Sequence, residues 1–104
     1  MYKLFFLPVA KRDINGIVLY ISDTLDAPQA ALDLLDDLET GTEHLREFPY
    51  MCRLFDIGIP FEFEYRALPV NNYLVFYVVR EDIKTVEIHR VIYAKRDMTR
   101  ILTS

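Results

Sequence analysis

The residues of this chain best equipped for chemistry gather toward its C-terminus: His89 and Arg90 side by side, Arg66 upstream, then Lys95, Arg96 and Arg100. Such a set suits attack of a ribose 2′-hydroxyl on its neighbouring phosphate. That reaction needs a base for the hydroxyl, an acid for the leaving 5′-oxygen, and cations on the transition-state phosphate. His89, Arg90 and Arg66 are therefore the catalytic candidates, with Glu62 or Glu64 as a spare base. Arg90, Lys95, Arg96 and Arg100 form, on the alternative reading, a surface for a target or a protein partner.

Each residue also has a plainer role open to it. His89 reads equally as a strand residue hydrogen-bonded at a sheet edge. By strict alternation Arg90 shares a side with Val86, Ile88 and Ile92, so an arginine interrupts an apolar row. A buried guanidinium is costly unless paired; either the row opens into a cleft there, or Arg90 pairs with Glu62 or Glu64. Arg66 follows those glutamates on the wet side of a strand, where a solvated charge ladder would hold it. Lys95, Arg96 and Arg100 read alternatively as a solvated tail. Tyr73, Phe76 and Tyr77 are core residues on this reading, and His44 sits on an acidic helix. Cys52 is a small core residue rather than a nucleophile. With glycine only at 16, 41 and 58, no phosphate-cradling loop forms, and no Cys or His cluster has zinc spacing. No metal and no cofactor is expected.

The elements that must position these groups are legible from periodicity. Tyr73–Val79 is apolar on both faces, as a central strand is, and Thr85–Tyr93 follows after a short charged link, which predicts an antiparallel hairpin. Residues 2–7 form a first strand ended by Pro8. Val9, Ile14, Ile17, Val18 and Ile21 then mark a helix to about residue 23, with Gly16 either weakening it or permitting close packing. Asp26 is the expected N-cap of a second helix from Pro28 to about Glu47, with Gly41 as an interruption. A short strand is expected near 53–57 and another where Phe61, Phe63 and Tyr65 alternate with charges. Leu68–Asn72 is turn chemistry, and residues 94–102 close as a short helix or extended tail. The order β-α-α-β-β-β gives an α+β domain, residues 1–104, with a two-helix hairpin on one face of a mainly antiparallel sheet.

Composition narrows the class. A chain of 104 residues with 52% hydrophobic and 27% charged side chains is a single globular domain rather than a disordered one. No apolar stretch approaches a membrane span and the N-terminus lacks a signal-peptide pattern, so a cytoplasmic protein is expected. The net charge of −4 is uneven. The first 52 residues hold four Lys or Arg against nine Asp or Glu, the remainder eight against seven. A local basic patch on an acidic protein is a focused contact, not a general polyanion surface.

Three stretches resemble the RelE/ParE superfamily of bacterial type II toxins. They are Val9-Ala-Lys-Arg-Asp-Ile14, Tyr65–Tyr77, and above all Ile88-His-Arg-Val-Ile-Tyr-Ala-Lys-Arg-Asp97, similar to the arginine-rich last strand of those toxins. The resemblance spans essentially the whole chain. It implies a growth-inhibiting toxin of the plasmid-stabilisation and stress-response kind, neutralised by a cognate antitoxin that wraps it and anchors in apolar grooves beside the helical hairpin. RelE-like members cleave ribosome-bound mRNA; ParE-like members poison DNA gyrase. Leu74 stands where the ribonuclease branch carries an arginine, the chain ends Met98–Ser104 without the branch's terminal tyrosine or histidine, and the protein is acidic. The expectation is a ParE-like gyrase inhibitor. The alternatives are a ribosome-dependent endoribonuclease, the one enzyme reading, and a non-toxic interaction domain of the same fold.

Overall fold

The structure, a computed structural model, describes residues 1–55 and 63–96. Its elements run β1 (Lys3–Phe6), α1 (Pro8–Leu19), a π-helical turn (Tyr20–Thr24), α2 (Pro28–Glu47), β2 (Arg66–Val70), β3 (Tyr73–Arg80), a 3₁₀ turn (Glu81–Ile83) and β4 (Thr85–Tyr93). The sheet order is β1-β4-β3-β2, with β1 parallel to β4 and the other pairs antiparallel. The two apolar runs are the central strands, as their composition predicts. Both helices lie on one face, over a core of Leu34, Leu38, Leu45, Val75, Tyr77, Val86 and Ile88.

Each helix follows from its spacing. Proline occupies the first turn of both, where its missing N–H costs nothing. Ala31, Leu34, Leu38, Thr42 and Leu45 form the buried stripe of α2, and His44 and Arg46 sit in its last turn, where the helix dipole favours cations. Asp26 is not the cap: Pro28 at the first helical position makes Ala27 the N-cap, and Asp26 takes a positive φ of 52° in the connecting loop. Gly41 does not interrupt α2. A Cβ there would stand 3.2 Å from Leu68 Cδ2 and 3.4 Å from Val70 Cγ2, so its role is close helix–sheet approach. Gly16 has the opposite surroundings, with nothing within 4 Å of its would-be Cβ.

The sheet departs from the sequence expectation at two places. The segment 68–72 is not all turn: β2 runs through Pro69 to Val70, and only Asn71-Asn72 turn the hairpin, with Asn71 at φ 53°. Pro69 fits there because β2 is an edge strand. Of the strand expected near 53–57, residues 53–55 contribute an isolated bridge from Leu54 to Arg66, and the rest lies outside the described residues. Phe61 and Glu62 of the alternating segment also lie outside them, and Phe63–Tyr65 lead into β2 as irregular chain. Tyr77, fully buried, donates its hydroxyl to Pro49 O at 2.8 Å and so fixes the start of the α2–β2 connection. Glu81 fastens the same region from outside, accepting from Tyr2, from Tyr50 at 2.6 Å and from Lys84. Those hydrogen bonds, Lys84's first, bring its carboxyl down to about 2.

Candidate functional site

The site is built on a break in the β3–β4 ladder. Phe76 lies opposite Arg90 while Tyr77 lies opposite Ile88, which leaves His89 as the extra residue of a β-bulge. Arg90 therefore falls in step with Ile92, and out of step with Val86 and Ile88, contrary to simple alternation. The side chains of Phe76 and Ile92 pack on the sheet face away from the helices.

Just beyond the bulge β4 also loses its other neighbour. β1 stops at Phe6, opposite Ile88, and the chain turns into α1. Asp13, one turn into α1, takes over the vacated edge. Its carboxylate accepts from Arg90 Nε at 2.8 Å, from Arg90 Nη2 at 3.0 Å, and from the backbone N–H of Val91 at 3.0 Å. Arg90 thus has the ion-pair partner that its place in an apolar row requires. That partner is Asp13 rather than Glu64, and Glu62 lies outside the described residues. Its hydrogen bonds hold the Arg90 pKa above the ordinary guanidinium value, against an opposing effect of burial.

This ion pair forms one wall of a concavity of about 1030 Å³ between the tip of the helical hairpin and the ends of β3 and β4. Gly16, Ile17, Ile21 and Leu34 give it an apolar floor. Tyr20, Tyr73 and Tyr93 stand around it with Arg12 and Arg96, and Asn71 and Asn72 close one end. Tyr73 and Tyr93 meet edge to face at 5.8 Å. Burial, followed by proximity to Tyr93 and Tyr20, raises the Tyr73 pKa. Arg12 and Arg96 make no ion pair among the described residues. Leu19, Tyr20 and Leu25 leave about half of their surface exposed at the π-helical turn, beside the same groove.

Of the sequence candidates, Arg90 and Arg96 meet in this groove. Lys95 is exposed in the turn after β4, and Arg100 lies outside the described residues. His89 does not join them. It is 7% exposed, with Nδ1 3.1 Å from the Tyr65 hydroxyl and Nε2 3.2 Å from Glu87 Oε1. Phe63 and Tyr65 both set ring edges against it at 5.2 Å. Arg66 is not on a wet charge ladder; it donates to Cys52 O at 2.6 Å and stacks over the Tyr50 ring at 4.9 Å. The three catalytic candidates are thus each committed to protein contacts. Sequence reasoning passed over Arg12, Asp13, Tyr20 and Tyr93. Asp13 carried a usable signal, since it stands four residues from both Val9 and Ile17 within the apolar stripe of α1. Among the described residues, no group of three or more His, Cys, Asp or Glu side chains could hold a metal ion. No described helix is long and apolar enough to cross a membrane.

The profile of the family described as ParE toxin of type II toxin–antitoxin system, parDE, matches residues 4–98. The chain belongs to this family. Among solved structures, this ParE-family toxin resembles the chromosomal ParDE system of P. aeruginosa at 18% identity and a TM-score of 0.72, covering 91% of this chain and 98% of that one. The isolated RelE toxin of E. coli superimposes with a TM-score of 0.60 at 16% identity, over 97% of this chain and 93% of that one. A chain of the intact E. coli RelBE toxin–antitoxin complex gives 0.59 at 17% identity, over 92% and 100%. At these identities the structural likeness concerns the fold, a helical hairpin on a four-stranded mixed sheet. No curated protein matches this chain. The α+β class and the superfamily expected from sequence hold, with the ParE branch ahead of the RelE branch.

Proposed function

We propose that this ParE-family toxin acts in the bacterial cytoplasm on DNA gyrase, as a protein-binding poison without chemistry of its own, and that a cognate antitoxin holds it inactive. What carries the reading is the groove beside the hairpin tip. It is rimmed by three tyrosines and by two arginines that make no ion pair among the described residues, the residue types that dominate binding energy at protein interfaces. The ribonuclease reading asks for an accessible base and free cations on the sheet. His89 is buried between Tyr65 and Glu87, and Arg90 is held by Asp13.

The test is induced expression alone, with pulse labelling of protein and DNA synthesis, followed by purified protein added to gyrase and supercoiled plasmid. The reading expects DNA synthesis to collapse first and gyrase-cleaved DNA to accumulate. Arg12→Glu and Arg96→Glu each reduce that accumulation at least about tenfold, the effect of losing about 1.4 kcal/mol of contact. His89→Gln leaves it intact. Prompt collapse of translation with unaffected supercoiling would overturn the proposal in favour of mRNA cleavage.

A further inference from the structure

The end of the molecule away from the groove carries an apolar surface of its own, where α2 finishes, β1 and β4 begin and the 3₁₀ turn closes the β3–β4 hairpin. Phe48, Tyr50, Met51 and Ile83 each leave 48–59% of their surface exposed there. Hydrogen bonds hold this end as one rigid piece. Tyr2 N–H reaches Arg46 O at 2.8 Å and Arg46 Nε reaches Tyr2 O at 3.1 Å, which ties the start of β1 to the last turn of α2. Met51 N–H reaches Phe48 O at 3.2 Å, and the Tyr2 and Tyr50 hydroxyls converge on Glu81, two residues before Ile83. Lys84 pairs with Glu81 and Arg46 with Glu43, so those charges are matched within the chain. Lys3 and Glu47, both exposed, have no ion-pair partner among the described residues. They stand on opposite sides of the sheet. Leu4 and Phe6 pack into the core under the helices, so alternation turns Lys3 to the open face, whereas Glu47 ends α2 on the helix side.

We infer that this end is the interface of a two-fold dimer, in which Phe48, Tyr50, Met51 and Ile83 pack against the same patch of a second copy of the chain. Three observations select that occupant. The first is area. A large side chain buries about 150–250 Å² when fully covered, so four that are half uncovered offer roughly 400 Å² of apolar surface per copy. Homodimer interfaces are about 65% apolar, which makes the whole contact roughly 1,200 Å² over both copies, at the lower edge of specific interfaces. The second is rigidity, since a patch already fixed by hydrogen bonds has little ordering entropy left to lose on association. The third is charge. A two-fold axis lying in the sheet plane sets the helix side of one copy against the open side of the other. That brings Lys3 to the partner's Glu47 and Glu47 to the partner's Lys3. A partner of one predominant charge would meet one of these two residues with its own sign. The dimer leaves the tyrosine- and arginine-lined groove of each copy at its outer end, so the inference does not depend on the gyrase reading.

Sedimentation equilibrium of the purified full chain, at low salt and up to about 500 µM, measures the association. A reversible monomer–dimer equilibrium is expected, with a Kd of about 10–100 µM for a contact of this size. Phe48→Ser and Ile83→Lys, both at exposed positions outside the core, should each weaken dimerisation at least about tenfold while circular dichroism stays that of the wild type. Glu47→Lys and Lys3→Glu should each weaken it at least about fivefold, because every charge enters a two-fold interface twice. The double exchange of Lys3→Glu with Glu47→Lys should restore the wild-type Kd, which a merely structural role for either residue would not do. A chain that stays monomeric at the highest concentration overturns the inference. So does a dimer that Phe48→Ser and Ile83→Lys leave intact, since it would lie on another surface. Failure of the double exchange to rescue the single changes would overturn the two-fold arrangement.

Discussion

Removing Asp13 tests the structural logic of the site. In Asp13→Ala, Arg90 loses both of its hydrogen bonds to carboxylate and Val91 loses its backbone acceptor. Hydrogen bonds to charged groups contribute about 1.5–3 kcal/mol each when desolvated. Here the Arg90 side chain keeps 29% of its surface in water and Asp13 keeps 15%, so solvent compensates part of the loss. A net cost of about 2–3 kcal/mol follows, below the 3–5 kcal/mol of a fully buried pair. In a domain of this size that lowers Tm by roughly 10–20 °C. Asp13→Asn, which keeps one carbonyl oxygen for Val91 or Arg90, should cost about half as much. Urea denaturation of Asp13→Ala, Arg90→Met and the double variant measures the pair directly. A coupling of about 1–2 kcal/mol is expected. Additive effects, within about 0.5 kcal/mol, would refute the claim that Asp13 is what makes Arg90 tolerable in an apolar row.

Other expectations follow from the same contacts. Tyr77→Phe strands the Pro49 carbonyl in the core and should cost about 1–2 kcal/mol in urea denaturation, with no change in fold by circular dichroism. Gly16→Ala should stabilise the chain by about 0.5–1 kcal/mol, since its Cβ meets open space, whereas Gly41→Ala should gain nothing because Leu68 and Val70 must yield. Glu81 has its folded pKa depressed, so its contribution is complete above its ordinary value of 4.5 and is lost as pH falls toward about 2. Within that window the wild-type Tm should fall more steeply than that of Glu81→Gln, and parallel curves would show that the clasp of Tyr2, Tyr50 and Lys84 adds nothing.

The elements were legible wherever one periodicity governed a long segment. The two central strands, α2 and the extent of α1 with its π-helical end all follow from apolar spacing. Leu68-Pro-Val-Asn-Asn was harder, because Pro69 is a turn residue by type and an edge-strand residue by position, and only the sheet order distinguishes them. The bulge at His89 was invisible, since one extra residue leaves no mark in composition and yet reverses every alternation argument beyond it. The ion pair was half legible. Arg90 announced its need for an acid, but Asp13 lies on an element from the other end of the chain, and local reading favoured the nearby glutamates. The groove escaped notice for the same reason: Arg12 and Tyr20 come from α1 and its end, and Tyr73, Tyr93 and Arg96 from the sheet.

The pairing of β1 with β4 carries a kinetic consequence. Lys3 sits beside Thr85 and Phe6 beside Ile88, so β1 must wait for β4. The hairpin of α1 and α2 and the β3–β4 meander form from near neighbours, but closing the sheet between its ends spans most of the chain and carries the largest loop-closure entropy. Asp13, which needs Arg90 and Val91, waits with it. On the ribosome neither the closed sheet nor the groove wall exists until β4 has cleared the exit tunnel. The groove wall is therefore a late feature of folding, assembled only when β4 can meet both β1 and α1.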